Sequence, residues 1–420
     1  MIFHTQNIVW TFKTSGSGFD IESGDWELFY YSSPALFGEN LYIGTSNDAN
    51  GRKTGGLKDH YTLFKFHRDS SAPIWSLDFG PLEVRGGPVI HDDSGVLYIY
   101  VVLESHTDDK SKRKQDFLYQ IRDNGATATV MWNYTISENV DDAGGFQWAE
   151  LQRIYPSIDE SGNVYVLGRT FNSFTKAGIR RWNITVPFES DFPIKGIGFQ
   201  PTIHNGYVYF GADKFYCYRA SDGALMYHLT KIDHTIDRFG QVVPRPDGTL
   251  AVGTMKHKVF TFFPNGTEKY RANLGEGKII VSPAVDATGN MYMGTKNNDK
   301  SRFVKLHGET GVVVWSIEDL YDVYSSPILG KKRVYFAGED RYIYGAEQST
   351  GEITYSTKLV GRTGILGSDV NQVALAMDPS GNIYVGDMDG ILYKISTDDE
   401  PGSSAFSYTM GKNMQRVGFY

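Results

Sequence analysis

Short apolar runs separated by tight polar turns recur along the whole chain, and their spacing predicts strands rather than helices. The clearest run has the form hydrophobic-Tyr-hydrophobic-Gly. It occurs at Leu41–Gly44, Leu97–Tyr100, Val164–Gly168, Val208–Gly211, Leu250–Gly253, Met291–Gly294, Val334–Gly338 and Ile383–Gly386. These copies lie roughly 40 to 65 residues apart, the period of a four-stranded propeller blade. Before each copy stands a short apolar strand, often opened by Ser-Pro or Gly-Pro; after it come a third strand, a Thr-Gly-like turn and a strand carrying a large aromatic.

That last aromatic counts the repeats independently. It falls at Trp75, Trp132, Trp182, Tyr227, Tyr270, Trp315 and Tyr355, one short of eight. The eighth unit stops at Gly390–Thr397 without a fourth strand, and the missing strand stands at the other end of the chain, around Trp10. The pattern predicts an all-β, single closed propeller of eight four-stranded blades over residues 1–396, the N-terminal strand completing the last blade, followed by a linker-like tail over 397–420. Closing the ring this way removes exposed sheet edges. All eight aromatics are read as structural, each covering the neighbouring blade.

Three turn-plus-aromatic segments, His307–Ile317, Ala346–Leu359 and Ala220–Leu229, carry a small residue, a Thr-Gly or Asp-Gly turn and a Trp or Tyr. They resemble the docking motif of the pyrroloquinoline-quinone-type (PQQ-type) propellers; the likeness spans essentially the whole chain and is weakest in the first three units. The Trp-Asp dipeptide of WD repeats is missing from these segments. The resemblance implies one of two functional kinds. One is the quinoprotein dehydrogenases, which hold the quinone and a calcium ion on the propeller axis. The other is cofactor-free binding propellers, such as the propeller subunit of the bacterial outer-membrane assembly machine. The dehydrogenases usually carry an adjacent Cys pair, whereas this chain has Cys217 alone. No calcium-ligand or catalytic-Asp motif can be matched, so the resemblance carries over the fold and not a catalytic site. No cofactor and no metal site are expected.

Charge and composition narrow the partners. The net charge is -8 at pH 7 with no basic stripe, which argues against nucleic acid. No apolar run is long enough for a transmembrane helix, and the first residues lack the pattern of a signal peptide. The resemblance implies an extracytoplasmic location, periplasmic, secreted or at the cell surface. The charged run Glu104–Asp116 mixes signs and reads as a solvated loop. Asp387–Gly390 looks like a fragment of a calcium loop but lacks its downstream Glu, and a turn between strands accounts for it. The sequons at Asn133, Asn183 and Asn265 match what chance gives at this Asn content. Zinc-protease and nucleophile-elbow motifs are absent.

With strands lettered a to d within a blade, the a–b and c–d turns are short, as at Asp159, Asp286, Gly308 and Asp378. The long insertions, 46–60, 103–116, 138–153, 187–198 and 361–372, fall between b and c or between d and the next a, and so all project from one face. Insertions collect on the binding face of repeat proteins. On that face Asp141, Asp142, Phe146, Trp148 and Glu150 combine carboxylates with an off-pattern Trp suited to anchoring a partner. Arg85, Arg153, Gln241, Tyr324 and Gln372 stand near the starts of inner strands, at the channel mouth. The expected function is a non-catalytic binding or scaffold propeller engaging a protein or glycan partner through its loop-rich face. The alternative is an enzyme with a channel-centred site, either a PQQ-dependent oxidoreductase with atypical ligands or a carbohydrate-active lyase or hydrolase.

Overall fold

Eight blades of antiparallel strands follow one another around a closed ring. The computed structural model describes residues 7–14, 28–29, 32–46, 60–105, 115–136, 154–168, 170–188, 200–229, 239–279, 282–297, 300–323, 325–360 and 373–402. Blade one runs through Ala35–Phe37, Asn40–Gly44, Thr62–His67 and Pro73–Asp78, in spatial as well as chain order. The same a-b-c-d order repeats in each later unit. In blade eight, a, b and c are Ala376–Met377, Ile383–Gly386 and Ile391–Ile395, and the fourth strand is Ile8–Lys13. Its register is antiparallel, with Trp10 opposite Lys394 and Lys13 opposite Ile391. The ring therefore closes with the N-terminal strand in the last blade, as the repeat predicts.

Burial explains why the b strands are so uniform. A strand covered on both faces reads as a continuous apolar run rather than as an alternation. Leu41, Tyr42 and Ile43 are fully buried, as are Val208, Tyr209 and Phe210. Among the described residues the buried apolar side chains form eight clusters, one at each seam between neighbouring blades. The core is thus a ring of seams rather than one central mass. The seam of blades eight and one joins Tyr384 and Leu392 to Leu41 and Phe66, with Trp10 and Phe12 packed against them.

Each d-strand aromatic also reaches across its seam with a polar tip. Trp132, Trp182 and Trp315 donate from Nε1 to the backbone oxygens of Lys176, Ala220 and Gln348, at 3.1–3.2 Å. Tyr227, Tyr270 and Tyr355 donate from their hydroxyls to Pro264, Gly308 and Ser396, at 2.7–2.8 Å. Trp75 donates to the carboxylate of Asp123 at 3.2 Å, and Trp10 to the backbone oxygen of Arg68 at 3.2 Å. Every acceptor lies at the c–d end of the next blade, so the bonds run once around the ring. The turn glycines sit under these rings. A Cβ on Gly351 would lie 2.8 Å from the Trp315 ring, and its φ of +79° already disfavours any side chain.

Blade two departs from the pattern. Its b strand, Val96–Ser105, is long enough to pair with Val89–Asp93 over one half and Leu82–Val84 over the other. Between blades seven and eight the innermost edges meet directly, Ser325 and Ser326 pairing in parallel with Val373 and Ala374.

Candidate functional site

The strand order sets the two ends of the ring apart. The a–b and c–d turns lie at one end, where they close tightly through side-chain carboxylates. Asp159, Asp286 and Asp378 each accept the backbone N–H groups two and four residues on, at 2.8–3.0 Å, the turn chemistry that holds Asp there. At the other end lie the b–c and d–a connections. The long connections fall there, between Ser46 and His60, Ser105 and Gln115, Ile136 and Ile154, Phe188 and Gln200, and Val360 and Val373.

Eight of the ten proposed binding residues lie outside the described residues: Asp141, Asp142, Phe146, Trp148, Glu150, Arg153, Tyr324 and Gln372. Arg85 and Gln241 are described, and neither is exposed. Arg85 is fully buried, its Nε 3.0 Å from Glu83 and 2.7 Å from Glu104. Glu83 stands opposite Glu104, and Glu104 opposite Asp116, so three buried carboxylates cross three strands in one row. The run between Glu104 and Asp116 therefore begins and ends in the protein interior, not in solvent. The strand period that turns these two side chains inward is masked in sequence by the charged residues between them.

Gln241 ties inner strands together. Its Nε2 donates to the backbone oxygen of Gln200 at 2.8 Å and to the Thr202 hydroxyl at 3.2 Å. Gln200 in turn donates to Pro156 O at 2.8 Å, which continues the ladder from blade five to blade three. The Tyr155 hydroxyl lies 3.4 Å from that of Ser33. The amide N–H groups of both glutamines are engaged in this ladder, while their Oε1 atoms are buried without a hydrogen-bond partner among the described residues.

Among the described residues, no set of side chains matches a quinone and calcium site. Cys217 is buried, and burial pushes its thiol up to about 11, against the opposing effect of its side-chain contacts with Tyr209 and Tyr227. Among the described residues no group of three or more His, Cys, Asp or Glu side chains is arranged to hold a metal ion. Asp387 is engaged in its own b–c turn: it accepts the N–H groups of Asp389 and Ile391 at 2.9 and 2.8 Å and the Tyr393 hydroxyl at 2.7 Å.

Fold and geometry define a propeller with one tightly closed face and one loop-rich face. The model of the outer membrane protein assembly factor BamB family matches residues 233–400. The solved structure of BamB from Moraxella catarrhalis is similar at 12% identity, with a TM-score of 0.63, over 93% of this chain and 99% of that one. Sqt1 of Saccharomyces cerevisiae is similar at 10% identity, with a TM-score of 0.61, over 94% and 100% of the two chains. The computationally designed protein Ika8 is similar at 10% identity, with a TM-score of 0.57, over 88% and 96%. No curated protein matches the sequence significantly. The eight-bladed fold thus runs through the whole ring, and residues 233–400 of it match the repeats of that family model. Among the described residues no helix is long and apolar enough to cross a membrane.

Proposed function

We propose that the chain is a non-catalytic scaffold whose partner, a protein, docks on the face built from the b–c and d–a connections. The observation that carries this reading is the division of the ring: tight carboxylate-closed turns at one end, long connections at the other. Loops raised on a rigid closed sheet are where binding residues collect. The matched family model is that of an outer membrane protein assembly factor, which supports a protein partner over a glycan and an extracytoplasmic location. Asp141, Asp142, Phe146, Trp148 and Glu150 supply the contact surface, with Trp148 as its anchor. Arg153, Tyr324 and Gln372 are assigned to the same partner as further polar contacts. Arg85 and Gln241 act from beneath, fixing the inner strands on which the loops stand.

Thermal-shift titration with pyrroloquinoline quinone and calcium, together and singly, tests this against the enzymatic alternative. A ligand at about one hundred times its dissociation constant adds about 2.7 kcal/mol of stability. The scaffold reading predicts no shift; a joint shift would make the chain a quinoprotein.

A further inference from the structure

In blades three, six and eight the turn Asp has a second task. The other oxygen of Asp159, Asp286 and Asp378 accepts the hydroxyl of the b-strand tyrosine, Tyr165, Tyr292 or Tyr384, at 2.9, 3.0 and 2.9 Å. Blade seven lacks that carboxylate. Its a–b turn reads Gly330-Lys331-Lys332-Arg333, with Tyr335 in the tyrosine position. Asp399, beyond the last strand of blade eight, fills the place. Its carboxylate accepts the N–H groups of Lys331, Lys332 and Arg333 at 3.1, 3.2 and 3.0 Å and the Tyr335 hydroxyl at 3.3 Å.

The neighbours of Asp399 extend the match. Arg333 pairs with Asp398, and Lys331 with Glu400, so a basic triplet faces an acidic one. The backbones pair as well: Lys331 N–H donates to Glu400 O at 2.7 Å, and Gly402 N–H to Leu329 O at 3.0 Å. Gly330 is shaped to this carboxylate, since a Cβ there would lie 2.3 Å from Asp399 Oδ2. The central carboxylate is 5% exposed, whereas the side chains of the outer pair, Lys331 and Glu400, are 56% and 62% exposed.

We propose that the blade-seven turn is a carboxylate-binding site for an acidic segment, filled in cis by residues 398–402, and that the contact is a salt-responsive latch. Three backbone N–H groups and a tyrosine hydroxyl converging on one carboxylate form a receptor for Asp. The flanking Lys and Arg select acidic neighbours and bring in a charge term that ions screen. The latch holds residues 398–402 at the face opposite the loops, and its release frees the receptor turn.

Hydrogen exchange on the full chain tests this. In the wild type, the Lys331, Lys332 and Arg333 amides are protected, and raising salt from about 0.05 to about 1 M speeds their exchange while leaving the Asp286 turn unchanged. Asp399→Asn and Gly330→Ala speed exchange at those three amides by roughly tenfold to a hundredfold. An added peptide with the sequence of residues 396–402 slows it again in Asp399→Asn. The proposal is overturned by salt-insensitive exchange in the wild type, which needs no variant. It is equally overturned by unchanged protection in Asp399→Asn, or by loss spread evenly over all blades.

Discussion

Trp10, in the first strand, donates its indole N–H to the backbone oxygen of Arg68, at 3.2 Å, in blade one. That single bond joins the chain's first strand, seated in blade eight, to the blade that follows it in the ring. Its ring also lies 6.2 Å from Phe66 and 6.0 Å from Tyr384, one on each side of the closing seam. Trp10→Phe removes the bond and keeps most of the apolar contact, so it is expected to cost about 1 kcal/mol. Trp10→Ala is expected to cost about 2–4 kcal/mol, below the full core value because the side chain is half-buried. Urea denaturation followed by fluorescence checks both; equal costs would show that the hydrogen bond has no separate weight.

The turn glycines offer a controlled comparison. Gly248 and Gly351 share a φ of +79°, but a Cβ at Gly248 meets nothing within 4 Å, whereas at Gly351 it meets the Trp315 ring. Gly248→Ala is expected to cost about 1 kcal/mol of backbone strain. Gly351→Ala adds a seam clash and is expected to cost about 1–3 kcal/mol more. Melting curves that place the two variants together would refute the role assigned to the glycine-aromatic contact.

Arg85 pairs with Glu83 and Glu104 in the buried interior. Arg85→Ala leaves those carboxylates buried without their cation, an outcome worth about 3–5 kcal/mol of lost stability. Urea denaturation of wild type and variant checks this; a cost under about 1 kcal/mol would contradict the ionic account.

Burial pushes the Asp387 carboxyl up to about 7, against the hydrogen bonds from Tyr393, Ile391 and Asp389 that favour its charged form. Its ordinary value is 3.8. A group raised on folding contributes stability that is complete below the unfolded value and is lost as pH rises through the folded one. Between about pH 4 and 7 the wild type is therefore expected to lose up to about 1.4 kcal/mol per pH unit from this group. Asp387→Asn removes that slope. The difference between the two stability-pH curves isolates it, and parallel curves would show that Asp387 does not titrate in this window.

The sequence disclosed what is periodic. Buried b strands, d-strand aromatics and Asp-Gly turns recur at blade spacing, so blade number, closure and the identity of the two faces could all be read from residues such as Tyr42, Trp315 and Asp286. Single, non-local events stayed hidden. Asp398–Gly402 has the composition of a linker, and its fit to Lys331–Arg333 joins residues up to 69 positions apart with no local signal. The inward row of Glu83, Glu104 and Asp116 hides in the same way, behind a charged loop.

The central claim is that the loop-rich face binds a protein. It is tested most directly by placing a photoreactive residue at Trp148 and, separately, at Thr310 in the c–d turn of the opposite face, then irradiating cells that make the protein. The account predicts a discrete protein adduct from position 148 that is missing from position 310. Equal adducts from both faces, or an adduct from position 310 alone, would contradict it.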